Sequence, residues 1–477
     1  MKKAWKLASI TLAAAVVFIA AAYCVFRFCF SVDPLDRSGW GSEEGGIRYL
    51  DYWGKPLTGW QDLEGARYYF DPADGTATVG WRAMDGKDYY FDASGRMQTG
   101  WVNTFEGRFL LDSEGAALYG WQQDSQGLRY VDPENGRLTG WQQLDGKQYC
   151  FGSDGILLTG WQEVSGKTYY FGEDGIMRTG WQDRPEGRSY LGSDGAALIG
   201  WQDLEGERYC FDKTGVACTG LYTKDSSTWL LDGDGKMLTG WQDTGGSRRY
   251  FGTDGVMHTG WLEQDGERYY LHKDGTMAIG KVEIDGVNRF FTSQGKYLVM
   301  VNPWNFVPED YQLNMTKVEG FEFDVSGADA LARMLADCRA AGYSCTVNNT
   351  YRSEETQRYI WNRWIDRRMA AGMTYEEACA VTAQRVAAVG TSEHHLGLAV
   401  DLDGSSAMEA WMDEHCWDYG FIVRYPDGKT DVTGIIYEPW HFRYVGTELA
   451  LELKELGLCL EEYIDMLTAQ AAEGASK

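Results

Sequence analysis

A glycine–tryptophan pair recurs along most of the chain at intervals of 20 residues, once 21. Within one unit, from Gly59 to Phe70, a short polar strand leads to Gly65, and an aromatic strand follows. Two short strands around a glycine predict a β-hairpin, and Asp74-Gly75 predicts a second turn before the next pair. The recurring tryptophans are Trp40, Trp60, Trp81, Trp101, Trp121, Trp141, Trp161, Trp181, Trp201, Trp241 and Trp261.

One such hairpin would be marginally stable in water, so the units must bury their tryptophans against each other. Leu221 and Lys281 take the place of the tryptophan in two units without breaking the period. The pattern therefore predicts a solenoid of stacked β-hairpins over residues 31–298.

The periodicity changes near Tyr297, where helix-length apolar spacing begins. Apolar residues follow Ser326-Gly327-Ala328-Asp329 at helical spacing, and Thr374-Tyr375-Glu376-Glu377 has the form of a capping box. Ser353 and Ser406 mark two further helix starts, and short strands are expected around Ala399, Ile422 and His441. This mixture predicts an α+β domain over 299–465, with a disordered tail over 466–477.

The N-terminus has the features of a targeting segment. Lys2, Lys3 and Lys6 precede an uncharged, mainly apolar run from Leu7 to Phe26, which as a helix would be about 30 Å long and could cross a bilayer. We expect residues 1–30 to form a membrane anchor, with a cleaved signal peptide as the alternative. In either case the remainder is exported, and the chain is multi-domain: anchor helix, hairpin solenoid and α+β domain.

Charge and cysteine content narrow the possible partners. The net charge is -26 and the pI is near 4.6, which argues against binding to nucleic acid. Cys210 with Cys218, and Cys338 with Cys345, are candidate local disulfides of an exported protein, or else small buried residues. There is no CxxC pair, so a thiolate zinc site is not expected.

Two short segments of the last domain concentrate chemically capable residues. One runs from Ser392 to Asp401 and contains His394; the other is Glu438-Pro439-Trp440-His441. Two histidines and one carboxylate suit zinc and leave a position open for a water molecule. A carboxylate three residues before a ligand can act as the base for that water.

These segments resemble the VanY-type D-alanyl-D-alanine carboxypeptidases. The pattern Ser-x-His-x-x-Gly-x-Ala-x-Asp is followed by Tyr-Glu-Pro-Trp-His-Phe-Arg-Tyr, and Tyr351-Arg352-Ser353 precedes both, together with Gln357. The resemblance implies a zinc peptidase in which His394, Asp401 and His441 bind the metal and Glu438 is the base. It also implies that Arg352 stabilises the oxyanion and that Ser392, Gln357 and Tyr351 contact the substrate.

The repeats resemble the choline- and glucan-binding repeats of Gram-positive cell-wall proteins. One aromatic position of that family is occupied here by polar residues, among them Arg67, Asp88 and Gln148. A cage for a quaternary ammonium needs several ring faces, so choline is not the expected ligand. The array is expected to bind another wall polymer or glycan, or to be a spacer.

Taken with the resemblance, the sequence predicts a wall-associated enzyme on the extracytoplasmic face that removes D-alanine from peptidoglycan stem peptides. An L,D-carboxypeptidase, a peptidoglycan endopeptidase, or an adhesin with an inactive peptidase domain are the alternatives. His395, His415 and Asp403 are expected to have structural roles only.

Overall fold

The computed structural model describes residues 37–43 and 45–474, which form two compact units. One unit contains the chain up to residue 202 together with 211–217, and the other contains 203–210 and everything from 218 onward. The last hairpins therefore belong to the same unit as the C-terminal domain. The anchor predicted for residues 1–30 lies outside the described residues, and within them no helix is long and apolar enough to cross a membrane.

The repeats are β-hairpins, as predicted, and several carry a short third strand. Up to the middle of the array the strands are β1 Gly39–Glu43, β2 Gly46–Leu50, β3 Gly59–Leu63, β4 Ala66–Phe70, β5 Gly80–Met84, β6 Lys87–Phe91, β7 Gly100–Asn103, β8 Arg108–Leu111, β9 Ala117–Leu118, β10 Gly120–Asp124, β11 Gly127–Asp132, β12 Gly136–Arg137, β13 Gly140–Leu144, β14 Lys147–Phe151, β15 Gly160–Val164 and β16 Lys167–Phe171. The remaining strands are β17 Gly180–Arg184, β18 Gly187–Leu191, β19 Gly200–Leu204, β20 Glu207–Phe211, β21 Gly220–Lys224, β22 Ser227–Leu231, β23 Met237–Leu238, β24 Gly240–Thr244, β25 Ser247–Phe251, β26 Gly260–Gln264, β27 Glu267–Leu271, β28 Gly280–Ile284, β29 Val287–Phe291 and β30 Tyr297–Leu298.

The hairpin between β3 and β4 shows why the period holds. Its turn places Glu64 and Gly65 at positive φ, 51° and 77°, the conformation that matches the twist of a two-residue hairpin. Trp60 then lies opposite Tyr69, and its ring also meets Tyr89 and Phe91 of the next hairpin at centroid distances of 5.1 and 5.9 Å. Trp60 thus joins two successive hairpins, and the same contact with a ring of the next hairpin recurs at Trp40, Trp81, Trp121, Trp141, Trp181, Trp241 and Trp261, which confirms the predicted stacking.

An arginine occupies the non-aromatic position in several hairpins, and its guanidinium lies on the ring of the tryptophan in the same hairpin. Arg67 sits 4.7 Å from the centroid of Trp60, and Asp62 across the strand pairs with it at 3.8 Å. The same arrangement recurs at Arg188, Arg248 and Arg268. These tryptophan faces therefore already hold a cation from the chain itself.

The C-terminal domain combines an antiparallel sheet with helices, the predicted α+β arrangement. Its strands are β31 Met315–Val318, β32 Phe321–Asp324, β33 Cys345–Asn349, β34 Ala399–Gly404, β35 Phe421–Val423 and β36 His441–Tyr444. Its helices are α1 Val325–Ala340, α2 Glu354–Ala370, α3 Tyr375–Ala383, α4 Ser406–His415, α5 Thr430–Thr433, α6 Thr447–Leu456 and α7 Leu460–Gly474, with 3₁₀ turns at Glu393–Leu396 and Cys416–Tyr419. The main sheet has the order β33-β34-β36-β35.

The core of this domain lies between the sheet and α1. Leu331 and Leu335 of α1 pack with Val400, Leu402 and Phe442 of the sheet, all almost completely buried. Because side chains alternate along a strand, Val400 and Leu402 face this core while Asp401 between them faces the opposite side. The hydrophobic pattern of β34 thereby determines where its carboxylate points.

The helix starts follow the predictions with small shifts. The capping box of Thr374 and Glu377 is present, and Ser353 caps α2. Asp324, rather than Ser326, caps α1, because its carboxylate accepts hydrogen bonds from both the backbone N–H and the hydroxyl of Ser326. Ser405 caps α4 in place of Ser406. The cysteines of the described residues have free thiols.

The disordered tail predicted from residue 466 is wrong as far as Gly474, because α7 continues to that residue. Leu467 is 2% exposed and belongs to a core that also contains Phe290 and Leu298 of the last hairpin. The backbone N–H of Lys281 donates to the hydroxyl of Thr468 at 2.8 Å. Burial against the repeats, which local composition does not reveal, holds this segment as a helix.

We expect Leu467→Ala to lower the free energy of unfolding of this unit by about 2–5 kcal/mol, the range for a buried leucine. Leu451→Ala, on the exposed face of α6, is the matched control and should change it by less than about 0.5 kcal/mol. Chemical denaturation followed by tryptophan fluorescence measures both. Equal effects of the two variants would contradict the packing of α7 described here.

Candidate active site

Three neighbouring segments of the sheet bring the chemically capable residues together. Asp401 and His441 are direct partners in the antiparallel pair of β34 and β36. His394 lies in the 3₁₀ turn that precedes β34, and this turn ends at Gly397 with φ of 71°, which directs the chain back into the strand. The three residues predicted as metal ligands thus converge, although they are distant along the chain.

The geometry of this cluster suits a metal ion. Nε2 of His394 lies 3.1 Å from Oδ2 of Asp401, and Nδ1 of His441 lies 3.0 Å from Oδ1. One ligand atom from each residue falls within 4.8 Å of the others. Two imidazole nitrogens and one carboxylate oxygen form the donor set of an open zinc-type site.

The protonation states of the cluster also fit ligation. Nδ1 of His394 lies 2.5 Å from the carbonyl oxygen of Thr350, so it carries the proton and leaves Nε2 free to bind a metal. Burial lowers the pKa of His394, which keeps the ring neutral. Although burial alone would raise the pKa of Asp401, His394 and His441 beside it hold that pKa well below its usual range.

Two ligand atoms of the cluster are buried without a hydrogen-bond partner among the residues that the structure describes: Oδ1 of Asp401 and Nε2 of His441. Nδ1 of His441 is near Oδ1, at 3.0 Å, but does not form a hydrogen bond with it. An unsatisfied buried oxygen of this kind is costly unless a cation meets it. The residues present therefore fit a metal.

Glu438 lies beside the cluster, with Oε2 3.7 Å from Nδ1 of His441. Its backbone N–H donates to the carbonyl oxygen of Tyr425 at 3.1 Å, which fixes the segment before β36. Burial, followed by the charge of Asp401, raises the pKa of Glu438 to about 8. A carboxyl group in this range can both accept and return a proton near neutral pH, and a cation bound beside it would bring the raised pKa back down.

Arg352 brings a guanidinium to the same place. Its Nη2 lies 3.6 Å from Oδ2 of Asp401, and its backbone N–H donates to the carbonyl oxygen of His394 at 3.1 Å. Gln357 accepts a hydrogen bond from Nη1 at 2.8 Å and donates to the carbonyl oxygen of Ala387 at 2.6 Å. Gln357 therefore fixes the guanidinium on one side, and its Nη2 points toward Asp401 on the other.

Two predicted substrate contacts have other positions. Gln357 is 0% exposed: its amide oxygen accepts from Arg352 and its amide nitrogen donates to the carbonyl oxygen of Ala387, and its contact with substrate stays a prediction. Tyr351 does not line the cavity, and its backbone N–H donates to the carbonyl oxygen of Glu322. Ser392 does line it, and its side chain makes no capping hydrogen bond to the 3₁₀ turn.

The cluster opens into a cavity of about 230 Å³. Its wall adds residues that the sequence did not single out: Ile360, Arg385, Val386, Ala387, Tyr425, Ile435 and Trp440. Trp440 could have been found, because it stands beside His441 within the recognised motif. Arg385 follows the end of α3 in a segment without a motif, so only the fold shows that it reaches the cavity.

The residues expected to be structural stay outside the cluster. Nδ1 of His395 lies 2.7 Å from the carbonyl oxygen of Arg352, and its Nε2 accepts a hydrogen bond from the backbone N–H of Gly390. His415 stacks on Trp411 at 4.6 Å. Asp403 is exposed and accepts a hydrogen bond from Asn348.

A buried ionic network lies directly behind the cluster. Glu393, next to His394, receives hydrogen bonds from Arg424 at 3.0 Å and from Arg443 at 2.6 Å. Arg424 also makes a two-pronged pair with Glu461 of α7, at 2.9 and 2.6 Å. The side chains of Glu393 and Arg424 are 0% exposed. Although burial opposes it, the two guanidinium charges lower the pKa of Glu393 to about 2.

Comparison with known proteins gives two family matches. A family described as D-alanyl-D-alanine carboxypeptidase matches residues 322–447. A family described as choline-binding repeat matches residues 78–110, 158–199 and 238–282.

Individual relatives match the C-terminal domain. A D-alanyl-D-alanine carboxypeptidase of Enterococcus faecalis is 38% identical over 175 residues. The match covers 35% of this chain and 65% of the relative, so the chain spans slightly less than two thirds of the relative's length. A putative carboxypeptidase of Bacillus subtilis is 31% identical over 191 residues, 35% of this chain and 67% of the relative. The solved structure of a VanY D,D-pentapeptidase variant in complex with Zn(II) is 38% identical, with a TM-score of 0.34, and covers 35% of this chain and 97% of that chain.

We expect Glu393→Gln to lower the free energy of unfolding by about 3–5 kcal/mol at neutral pH, because it leaves the buried guanidinium of Arg443 without a counter-charge and removes one of the two carboxylate partners of Arg424. The folded-state pKa near 2 lies below the ordinary value of 4.5. The stabilisation is therefore complete above pH 4.5 and is lost as the pH falls toward 2.

The wild type should accordingly show a fall in stability over that pH window that Glu393→Gln lacks. Denaturation series at pH 7, 4.5 and 3 measure this, and Glu455→Gln, on an exposed acid of α6, is the control. A fall of the same size in wild type and Glu393→Gln would contradict the assignment.

Proposed function

The chain belongs, through its C-terminal domain, to the VanY family of D-alanyl-D-alanine carboxypeptidases, and on that premise we propose that it is a zinc-dependent carboxypeptidase that removes the C-terminal D-alanine from peptidoglycan stem peptides. The observation that carries the proposal is the convergence of two histidines, an aspartate, a carboxyl base and a guanidinium on one cavity.

His394, Asp401 and His441 would hold the metal, since they supply the donor atoms that zinc takes when no thiolate is present. Zinc bound there would polarise the scissile carbonyl and lower the pKa of a water molecule. Thr350 would keep His394 in the ligating tautomer through the hydrogen bond to Nδ1.

Glu438 would act as the base. Its carboxylate takes a proton from the attacking water and passes it to the amine of the leaving D-alanine. Its position three residues before His441 keeps it next to the metal ligands.

Arg352 would pair with the negative charge that develops on the carbonyl oxygen, a contribution commonly worth about 2.7–4 kcal/mol. Ser392 and Arg385 line the same cavity and would meet the terminal carboxylate of the peptide. A carboxypeptidase substrate ends in a free carboxylate next to the scissile bond, whereas an internal bond has none. Arg385, the second guanidinium in the cavity, could pair with that carboxylate and therefore favours a carboxypeptidase.

The repeats would place this activity at the cell wall, on the extracytoplasmic face, by binding a wall polymer or glycan. In the hairpins where arginine covers tryptophan, that ring face is taken, which disfavours a quaternary ammonium ligand there. A pure spacer is the alternative role. Membrane attachment through residues 1–30 remains a prediction from the sequence.

Muropeptides of defined length test the activity. The enzyme loaded with zinc should release one terminal alanine from pentapeptides, and a chelator should abolish the release, which mass spectrometry detects. Release only from tetrapeptides would instead support an L,D-carboxypeptidase, and internal fragments an endopeptidase. Absence of any cleavage in the metal-loaded protein would support an adhesin.

Two variants separate the base from the ligands. Glu438→Ala should retain zinc but lose turnover by at least about 100-fold, because general-base catalysis is removed. His441→Ala should lose both. Metal content by atomic emission and kcat on a pentapeptide measure these, with Asp403→Ala as a control that should keep both. Equal zinc loss in Glu438→Ala and His441→Ala would contradict the assigned roles.

A further inference from the structure

Two exposed aromatic side chains lie on the segment that joins the last hairpin to the C-terminal domain. Trp304 is 62% exposed and Phe306 is 65% exposed. With Val287 and Asn288 at the start of β29, they line a cavity of about 450 Å³. Neighbouring aromatic side chains left open to solvent around a cavity commonly mark a binding surface.

Both walls of this groove are held in place by polar contacts. Asn302, 1% exposed, accepts a hydrogen bond from the backbone N–H of Trp304 at 3.1 Å and donates to Glu461 at 3.0 Å. On the other wall, Arg289 donates to Asp310 at 3.2 Å and to the hydroxyl of Tyr297 at 3.0 Å. The groove is therefore formed before any ligand arrives, which lowers the cost of binding.

The aromatic side chains of the groove pack on two loops that also contribute residues to the catalytic cavity. Trp304 lies against Gly434, where a Cβ would come within 3.4 Å of its ring, and the next residue, Ile435, lines the catalytic cavity. Phe306 lies against Gly390 in the same way, at 3.0 Å, two residues before Ser392. The two loops on which Trp304 and Phe306 pack therefore also form part of the rim of the catalytic cavity.

The lining favours an uncharged, hydroxyl-rich ligand with flat apolar faces. Indole and phenyl rings offer such faces, and Asn288 and Asn305 add amide groups at the edge. The guanidinium of Arg289 is already paired with Asp310. It is therefore not free to bind a negatively charged polymer. A volume of 450 Å³ falls within the range of small-ligand sites.

We propose that this groove binds the amino-sugar chain that carries the stem peptide. This inference rests on the proposed function. A pentapeptide spans at most about 18 Å when extended, so a peptide whose end occupies the metal site has its sugar attachment close to the catalytic cavity. The groove beside the rim gives that sugar an aromatic platform and makes glycan-attached peptide a better substrate than free peptide.

Paired substrates test the proposal. For Trp304→Ala and Phe306→Ala we expect kcat/KM on a disaccharide-linked pentapeptide to fall about tenfold, the size of one lost aromatic contact, with less than a twofold change on the free pentapeptide. Tyr375→Ala, which removes an equally exposed ring on α3, is the matched control and should leave both rates unchanged. Equal losses on both substrates would overturn the proposal, because they would place the peptide, or the active site itself, in contact with these rings.

A binding measurement keeps the test independent of catalysis. Isothermal titration with an uncharged N-acetylglucosamine oligosaccharide should show a site in the full-length protein that Trp304→Ala loses and Tyr375→Ala retains. This result can be obtained even if no peptidase activity is found, so failure of the proposed function is distinguishable. Identical titrations of wild type and Trp304→Ala would overturn the glycan site.

Discussion

The buried pairing of Glu393 with Arg424 and Arg443 is the interaction on which the arrangement of the active site depends. Glu393 is adjacent to His394, and Arg443 is two residues beyond His441, so one carboxylate connects the two segments that carry the histidines. A charge buried this completely is stable only if its partners keep their geometry. The same requirement fixes the positions of the histidine ligands relative to each other.

The network extends beyond the active site to the segment that leads in from the repeats. Arg443 donates to the carbonyl oxygen of Val299, and Arg424 to that of Val301 and to Glu461 of α7. Helix α7 in turn packs on the last hairpin through Leu467. The proposed metal ligands, the C-terminal helix and the end of the repeat array are therefore parts of one packed structure, and the last hairpin shares a core with the C-terminal domain.

Structure and site residues can be predicted from the sequence where residues close together in the chain determine them. The hairpin period depends on turn glycines and tryptophans at fixed spacing, and the ligand residues occur within two short motifs, so both were accessible without a structure. The burial of Gln357 behind Arg352 could not be predicted, because its motif position does not reveal which side chains the fold covers. Arg385 and the helical state of 466–474 depend on packing between segments far apart in the chain, and local patterns carry no signal for such packing.

The choice among the related peptidase activities depends on the cavity wall and not on the ligand set. His394, Asp401, His441 and Glu438 would serve any hydrolysis of an amide, since their chemistry concerns only the carbonyl group and the water. The cavity around them is small, about 230 Å³, and Arg385 adds a positive charge to its wall. A small site with this charge suits a short peptide end with a free carboxylate, whereas an internal bond would need space for chain on both sides. On the proposed function, the wall formed by residues 385–387, Ile435 and Trp440 would set the selectivity between a terminal and an internal bond and would favour the terminal one.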